Sequence, residues 1–442
     1  MNLVYGVKDK PTFGKLLVFA LQQLLAILAA TIAVPAIVGN GMSHSAALFG
    51  AGIGTIVYLL FTKFKSPVFL GSSFAFIASM SAAFAGGVSA SAGYAGLILG
   101  AVFAGLVYVI LAIIVKLAGV KWISKVMPPV VIGPTVALIG LSLAGAAISD
   151  LQKGKVLVDK VSVASPYVCI ICGLVTLAVV IICSVYGKKM TKLIPFIIGI
   201  LAGYVLATVF TLIGIKTGNN ALMVIDFSAF SNMQWYPDFT FIEALKGVKE
   251  IDAAYIATIA VAYVPVAFVV FAEHIADHKN LSSIIGAELL EEPGLHRTLL
   301  GDGIGSIVGA IFGGCPNTTY GESVGCVAIT GNASVITILA TAIMAIVASF
   351  IAPFVTFLAT IPNCVMGGVC ISLYGFIAVS GLKMIQKVDL GQNRNLFVVA
   401  VILITGIGGL KLTFGQITIT PIACALILGI LTNVLVSKAK KD

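Results

Sequence analysis

Residues 315–330, CPNTTYGESVGCVAIT, and residues 66–85, SPVFLGSSFAFIASMSAAFA, decide how this chain is read. Both lie between long apolar runs and so sit at membrane depth. Each has proline in second place and passes through serines or threonines and an aromatic residue before anything helical begins. Such a segment reads as a short extended piece followed by a half-helix. Non-helical backbone survives at that depth only where it lines a protein cavity, because lipid offers no partner to a free N–H or C=O. The two segments therefore predict a polar site inside an apolar protein.

The rest of the chain agrees with that setting. Of 442 residues, 60% are hydrophobic and 10% charged, against roughly 25% charged in soluble domains. A soluble globular protein is excluded, and the apolar runs are too many for a signal peptide or a single anchor. Their boundaries predict helices near 14–36, 45–62, 93–118, 129–149, 165–186, 193–215, 253–277, 297–313, 333–361, 363–382, 395–411 and 417–437. With the two broken segments the count is fourteen crossings of an all-α polytopic membrane protein.

The net charge of +9 comes from 26 basic residues scattered in short clusters between apolar runs, which is a topology signal rather than a nucleic-acid surface. Fourteen crossings from a cytoplasmic N-terminus put nineteen of them inside: Lys8, Lys10, Lys15, Lys63, Lys65, Lys116, Lys121, Lys125, Lys188, Lys189, Lys192, Lys279, Arg297, Lys383, Lys387, Arg394, Lys438, Lys440 and Lys441. Seven fall outside: Lys153, Lys155, Lys160, Lys216, Lys246, Lys249 and Lys411. Both termini are thus expected to be cytoplasmic, and the polar stretch 217–252 extracellular. The eight cysteines lie in or beside apolar segments and read as small packing residues.

The two halves repeat. Gly50-Ala-Gly-Ile-Gly-Thr-Ile-Val-Tyr-Leu-Leu-Phe61 and Gly301-Asp-Gly-Ile-Gly-Ser-Ile-Val-Gly-Ala-Ile-Phe312 share seven identities in twelve. Ser72-Ser73-Phe74 corresponds to Thr318-Thr319-Tyr320, and Pro128 through Gly140 resembles Pro362 through Gly375. Seven crossings per copy is an odd number, so the second copy must lie inverted. Inverted repeats whose discontinuous helices meet near the midplane are an architecture of secondary transporters.

Four of the seventeen acidic residues belong to membrane segments: Glu273, Asp277, Asp302 and Glu322. A carboxylate in lipid costs at least several kcal/mol, so such groups face a cavity and act there. Glu273 and Asp277 are four apart and share a helix face. Two like charges that close in low dielectric do not both stay ionised easily, and the pair is expected to hold a proton. Asp277 has a second reading, as a solvated helix end beside His278 and Lys279. Asp302 lies toward the cytoplasmic end of its crossing and reads as a polar or interdomain contact, and His274 as a helix-packing residue. His44 and His296 fall near membrane edges.

The half-helices that begin at Phe74 and at Tyr320-Gly321-Glu322 present free N–H groups and a partial positive charge. Carboxylates that accept N–H, backbone amides that donate to C=O and two aromatic rings describe a site for a flat, neutral heterocycle. A metal ion would call for more oxygen ligands or histidines, so neither metal nor cofactor is expected. No HExxH, GxxxxGK[ST] or GxSxG is present, and no enzyme is predicted.

These motifs, namely Ala272-Glu-His-Ile275, Glu291-Glu-Pro-Gly-Leu-His296, Pro316-Asn-Thr-Thr-Tyr-Gly-Glu322, Leu70-Gly-Ser-Ser-Phe-Ala-Phe76 and Met366-Gly-Gly through Leu373-Tyr-Gly375, resemble the nucleobase-ascorbate transporter family end to end, and within it the bacterial uracil permeases. The resemblance implies fourteen segments in two inverted sevens. Residues 1–127 hold core segments 1–4, 128–216 gate segments 5–7, 217–252 an extracellular loop, 253–361 core segments 8–11 and 362–442 gate segments 12–14. It implies import of uracil or a related nucleobase by proton symport across the cell membrane, in a family where gate domains often join two copies as a dimer. It also implies that Glu273 and Glu322 bind base N–H groups, that backbone N–H groups at Phe74 and Gly321 meet base carbonyls, and that Tyr320, Tyr374 and Ala30 line the pocket. Two positions depart from the pattern: uracil permeases have histidines where this chain has Asp277 and Gln23. A purine such as xanthine as substrate, another cation as coupling ion, and passive facilitation stay open at this stage.

Overall fold

The computed structural model describes residues 3–119, 128–158, 161–188, 190–231, 233–414 and 417–436. Lys121, Lys125, Lys160, Lys189, Lys438, Lys440 and Lys441 of the charge count lie outside the described residues. The first half contains α1 (Phe13–Val38), α2 (His44–Phe61), β1 (Leu70–Ser72), α3 (Ile77–Ala83), α4 (Ala90–Ala118), α5 (Pro129–Ser142), α6 (Ala144–Leu151), a short pair β2 (Leu157–Val158) and β3 (Val161–Ser162), α7 (Pro166–Tyr186), α8 (Met190–Leu193) and α9 (Pro195–Thr217). The second half contains α10 (Thr240–Gly247), α11 (Ala253–Ile285), α12 (Leu295–Gly313), β4 (Asn317–Thr319), α13 (Gly321–Thr330), α14 (Val335–Ser349), α15 (Ala352–Thr360), α16 (Asn363–Ile385), α17 (Asn393–Ile407), a hairpin of β5 (Leu412–Phe414) and β6 (Ile417–Ile419), and α18 (Pro421–Val436).

Among the described residues, eight helices are long and apolar enough to cross a membrane, or nine if α14 and α15 form one bent span. The protein is thus a helical, multi-pass membrane protein. Both broken segments take the expected form: β1 leads through a helical turn at Phe74–Phe76 into α3, and β4 leads into α13.

Three expected helices differ in extent. The run expected to end at 277 continues to Ile285, because Asp277 and His278 find protein partners and do not end the helix; Gly286, at φ +69°, ends it. The run 333–361 bends by 83° between α14 and α15. Pro353 stands in the first turn of α15, where its missing N–H is tolerated and a new helix starts. The run expected over 417–437 begins as helix only at Pro421, because Ile417–Ile419 pair antiparallel with Leu412–Phe414.

Two groups of helices pack more within themselves than with each other. In one, α12 lies along α2 and α4, α14 along α2 and α1, and α11 along α4. In the other, α16 lies against α5, α6 and α7, α7 against α9, and α17 against α18 and α5. The polar stretch after α9 folds back onto the protein: Val224 and Ile225 donate their N–H groups to Thr211 Oγ1 at 3.1 and 3.0 Å. Ser91 of α4 donates to Glu243 of α10 at 2.5 Å.

The α2–α12 crossing brings together the two matching sequence stretches 50–61 and 301–312. Gly54 and Gly305 are equivalent positions, and they face one another. A Cβ on Gly54 would stand 2.7 Å from Gly305 O, and a Cβ on Gly305 2.7 Å from Gly54 O. Gly50 is likewise set against Gly309 O, at 2.4 Å from a built Cβ. Helices in lipid associate through such small-residue contacts, which let backbones touch. Gly54→Val or Gly305→Val should therefore push the two helices apart and cost about 1–3 kcal/mol or more. In detergent, either variant should lose its monodisperse peak or melt at clearly lower temperature. Gly145→Ala, at a site where a Cβ meets nothing within 4 Å, should behave as the parent.

Candidate functional site

The site is built on β1 and β4, which pair antiparallel with Leu70 opposite Thr319, Gly71 opposite Thr318 and Ser72 opposite Asn317. Each unwound segment thereby satisfies the backbone of the other at membrane depth. The pairing continues beyond the strands, with Ser73 N–H donating to Pro316 O at 2.9 Å and Tyr320 N–H to Phe69 O at 3.2 Å. Side chains take up other groups. Thr55 Oγ1 accepts from Leu70 N–H at 2.9 Å, and Ser323 Oγ accepts from Phe69 N–H at 3.0 Å and from Gln23 Nε2 at 2.5 Å. Gln23, one of the two departures from the family pattern, thus holds the second half-helix to α1. Tyr320 OH donates to Ser72 O at 2.8 Å. Its ring covers Gly71 so closely that a Cβ there would stand 2.2 Å from it.

In front of the paired strands lies a cavity of about 500 Å³. One wall is polar: Ser73 and Phe74 from the first broken segment, Glu273 and Asp277 from α11, and Thr318 to Glu322 from the second. The opposite wall is largely apolar, with Val136 of α5, Phe196 of α9 and Leu373, Phe376 and Ile377 of α16. Six expected site residues, Phe74, Glu273, Asp277, Tyr320, Gly321 and Glu322, are brought together on this cavity. Two stand behind its wall. Tyr374 is buried with its ring 6.0 Å from that of Phe74, and Ala30 is buried one turn along α1 from the lining residue Ala26.

Asp277 is tied to the second broken segment. Its Oδ2 accepts from Thr319 Oγ1 at 2.9 Å, and its Oδ1 is 3.7 Å from where a Cβ on Gly321 would stand. The carboxylate therefore sits at the amino end of α13, in the cavity wall and not at a helix end.

Behind the cavity is a second polar layer that sequence reasoning missed. His274 and Asp302 are fully buried, with His274 Nδ1 2.7 Å from Asp302 Oδ2 and His274 Nε2 2.9 Å from Thr298 Oγ1. Thr318 Oγ1 donates to the same Asp302 oxygen at 3.3 Å. His278, also fully buried, has Nδ1 2.8 Å from His274 O and Nε2 2.7 Å from Tyr58 OH. The available signal was the spacing of His274 and His278, four apart on the face of α11 adjacent to that of Glu273 and Asp277. Asp302 is accordingly a polar contact in the protein interior. Among the described residues, no cluster of three His, Cys, Asp or Glu side chains is arranged to hold a metal ion.

A helical membrane protein whose two unwound segments and intramembrane carboxylates converge on one internal cavity has the architecture of a transporter. Residues 14–414 match the family model described as the permease family. The chain is 40% identical over 441 residues to the uracil permease of Bacillus caldolyticus, an alignment that covers 98% of this chain and 94% of that protein. To the uracil permease of Bacillus subtilis strain 168 it is 37% identical over 441 residues, covering 99% and 96%. In fold it is similar to the transmembrane domain of the cyanobacterium bicarbonate transporter BicA, with a TM-score of 0.64 at 16% identity, covering 97% of this chain and all of that one. The chain belongs to the permease family of nucleobase-ascorbate transporters. It is a membrane permease rather than an enzyme.

The buried His274–Asp302 pair should matter to the fold independently of any ligand. Removing one partner leaves the other polar, buried and without its hydrogen bond, which costs about 1–3 kcal/mol, while replacing both by apolar residues of similar shape is far milder. His274→Phe should lower the melting temperature strongly, and His274→Phe with Asp302→Leu should recover part of the loss; thermal unfolding in one detergent checks both.

Proposed function

We propose that this permease imports uracil or a closely related nucleobase by proton symport. The observation that carries the proposal is the convergence of Glu273, Glu322 and the starts of both half-helices on one cavity of about 500 Å³. A planar base with alternating N–H and C=O groups matches that wall: Glu273 and Glu322 accept its N–H groups, and the backbone N–H groups at Phe74 and Gly321 donate to its carbonyls. Phe74 and Tyr320 flank it, with Tyr374 and Ala30 as packing behind them. The uracil permeases named above, 40% and 37% identical over nearly the whole chain, favour a pyrimidine.

In this proposal the chain makes fourteen crossings as two inverted sevens, with both termini cytoplasmic. Beyond the nine long spans, α12, the two strand-plus-half-helix segments, α17 and α18 each complete one. Support comes from the facing of equivalent glycines in α2 and α12 and from the antiparallel pairing of equivalent strands β1 and β4, both of which fit a two-fold relation between the halves. The group around α2, α4, α11, α12 and α14 would be the core, drawn from residues 1–127 and 253–361. The group around α5, α7, α9, α16 and α17 would be the gate, drawn from 128–216 and 362–442, and also the surface through which two copies pair. Movement of one group against the other exposes the cavity alternately to the two faces.

Proton coupling is assigned to Glu273 with Asp277. They lie one turn apart on the cavity wall and share a proton, which is released when the cavity opens to the cytoplasm. Xanthine as substrate and passive facilitation are the competing outcomes.

Two experiments test the assignment. Glu322→Gln and Glu273→Gln each turn an acceptor toward the base into a donor facing its N–H. Each should weaken binding of labelled uracil by about 2 kcal/mol or more, roughly 30-fold, and unchanged affinity in calorimetry would refute the role of that carboxylate. Asp277→Asn retains an oxygen for Thr319 and should leave substrate exchange nearly intact while abolishing accumulation driven by a pH gradient. Accumulation as steep as in the parent would move the coupling elsewhere.

A further inference from the structure

The central cavity reaches one end of the helix bundle, and its other end is closed. Its lining includes Ser184 near the end of α7, Lys192 of α8, and Ser380 and Met384 in the last turns of α16. The first turn of α16 lies elsewhere: Asn363 and Met366 line a separate small chamber of about 30 Å³. Asn363 and Met384 are 21 residues apart, roughly 30 Å along a helix, the thickness of a bilayer's hydrocarbon core. The chamber and the cavity mouth therefore lie toward opposite faces.

The chamber holds charge as well as apolar surface. His44 at the start of α2 enters it from the side of α1, α2 and α15; Asp150 of α6, Lys155 and Asn363 enter it from the side of α6 and α16. The second side is braced: Lys155 N–H donates to Val224 O at 2.7 Å and Cys364 N–H to Lys153 O at 2.9 Å. On its outer side, His44 also lines a wider cavity of about 380 Å³ together with Asp238. The imidazole is thus the partition between an outer vestibule and a closed polar chamber, with an ammonium on the inner side and a carboxylate on the outer.

We propose that the His44–Asp150–Lys155 chamber is the outer latch of the transport path, and that protonation of His44 releases it. The proposal rests on the alternating-access function above and adds to it a regulated outer gate. A volume of 30 Å³ holds about one water, so the chamber has little solvent with which to screen a new charge. With neutral His44, one ammonium and one carboxylate balance. A proton on His44 adds a second cation beside Lys155. Their repulsion parts the seam, so external acidity favours outward opening, the sense needed for a symporter that takes up protons from outside.

The test is a distance across the seam, which requires no substrate. Spin labels at Asn40→Cys and Gln152→Cys, both exposed and on opposite sides, are measured in lipid nanodiscs at pH 7.5 and 5.5, with the parent's native cysteines as background. A group of ordinary histidine pKa, near 6.5, that binds its proton only in the open state changes the open-to-closed ratio by up to about tenfold over that interval. The parent should gain a longer-distance population at pH 5.5. His44→Gln should keep the pH 7.5 distribution at both values, and His44→Arg should show the longer population at both. Lys155→Gln, which removes the repelling cation, should blunt the response. An unchanged pH response in His44→Gln overturns the latch. Absence of uracil binding in a protein whose labels respond overturns the transport function instead, so the two failures are told apart.

Discussion

Unwound backbone cannot face lipid, and in this protein two unwound segments face each other. The antiparallel pairing of β1 with β4 gives each the partners that the bilayer withholds. Much of the interior follows from that pairing. α2 and α12 must approach until their glycine backbones touch, because each leads toward one of the strands. Tyr320 must lie over Gly71, and Ser323, Thr55 and Gln23 must supply side-chain partners where the strands end. The two half-helices then start at the same depth, with their free N–H groups beside the same cavity.

α11 adds the acids by presenting two polar stripes. Glu273 and Asp277 face the cavity, while His274 and His278, each one residue further along, face inward toward Asp302, Thr298 and Tyr58. The inner stripe has its hydrogen-bond partners in the fold, apart from Asp302 Oδ1, which has none among the described residues. The cavity stripe keeps its carboxylates on the cavity wall. One helix thereby serves two purposes: the inner layer fixes its rotation, and that rotation aims the outer layer. Thr318 and Thr319 join the layers, the first bonded to Asp302 and the second to Asp277.

The contrast between the two ends of the seam bears on how such a protein moves. Near Lys192 the groups of helices are separated by the cavity; near His44 they meet around a chamber of about 30 Å³ lined by His44, Asp150, Lys155 and Asn363 together with apolar side chains. A closed face that includes charged groups can respond to protons, which a purely apolar contact cannot do.

Chain-local properties determined the class of this protein. Sixty per cent hydrophobic residues exclude a soluble fold, proline followed by Ser/Thr marks the two breaks, and the repeat and the rare membrane carboxylates point to a cavity between them; composition and spacing suffice because each reports on solvent and backbone geometry within a few residues. The tertiary structure decided what depends on residues far apart in the chain. Asp277 turned out to be a cavity group because Thr319, 42 positions away, holds it. Asp302 became an interior partner of His274, α11 ran on to Ile285, and Tyr374 and Ala30 fell behind the cavity wall. The Pro353 bend lay within reach of the sequence, since proline in a helical pattern ends or starts a helix. The side-chain pairings did not, because a buried polar group is satisfied by whichever partner packing brings within about 3 Å, and one chain's spacing carries no record of that partner.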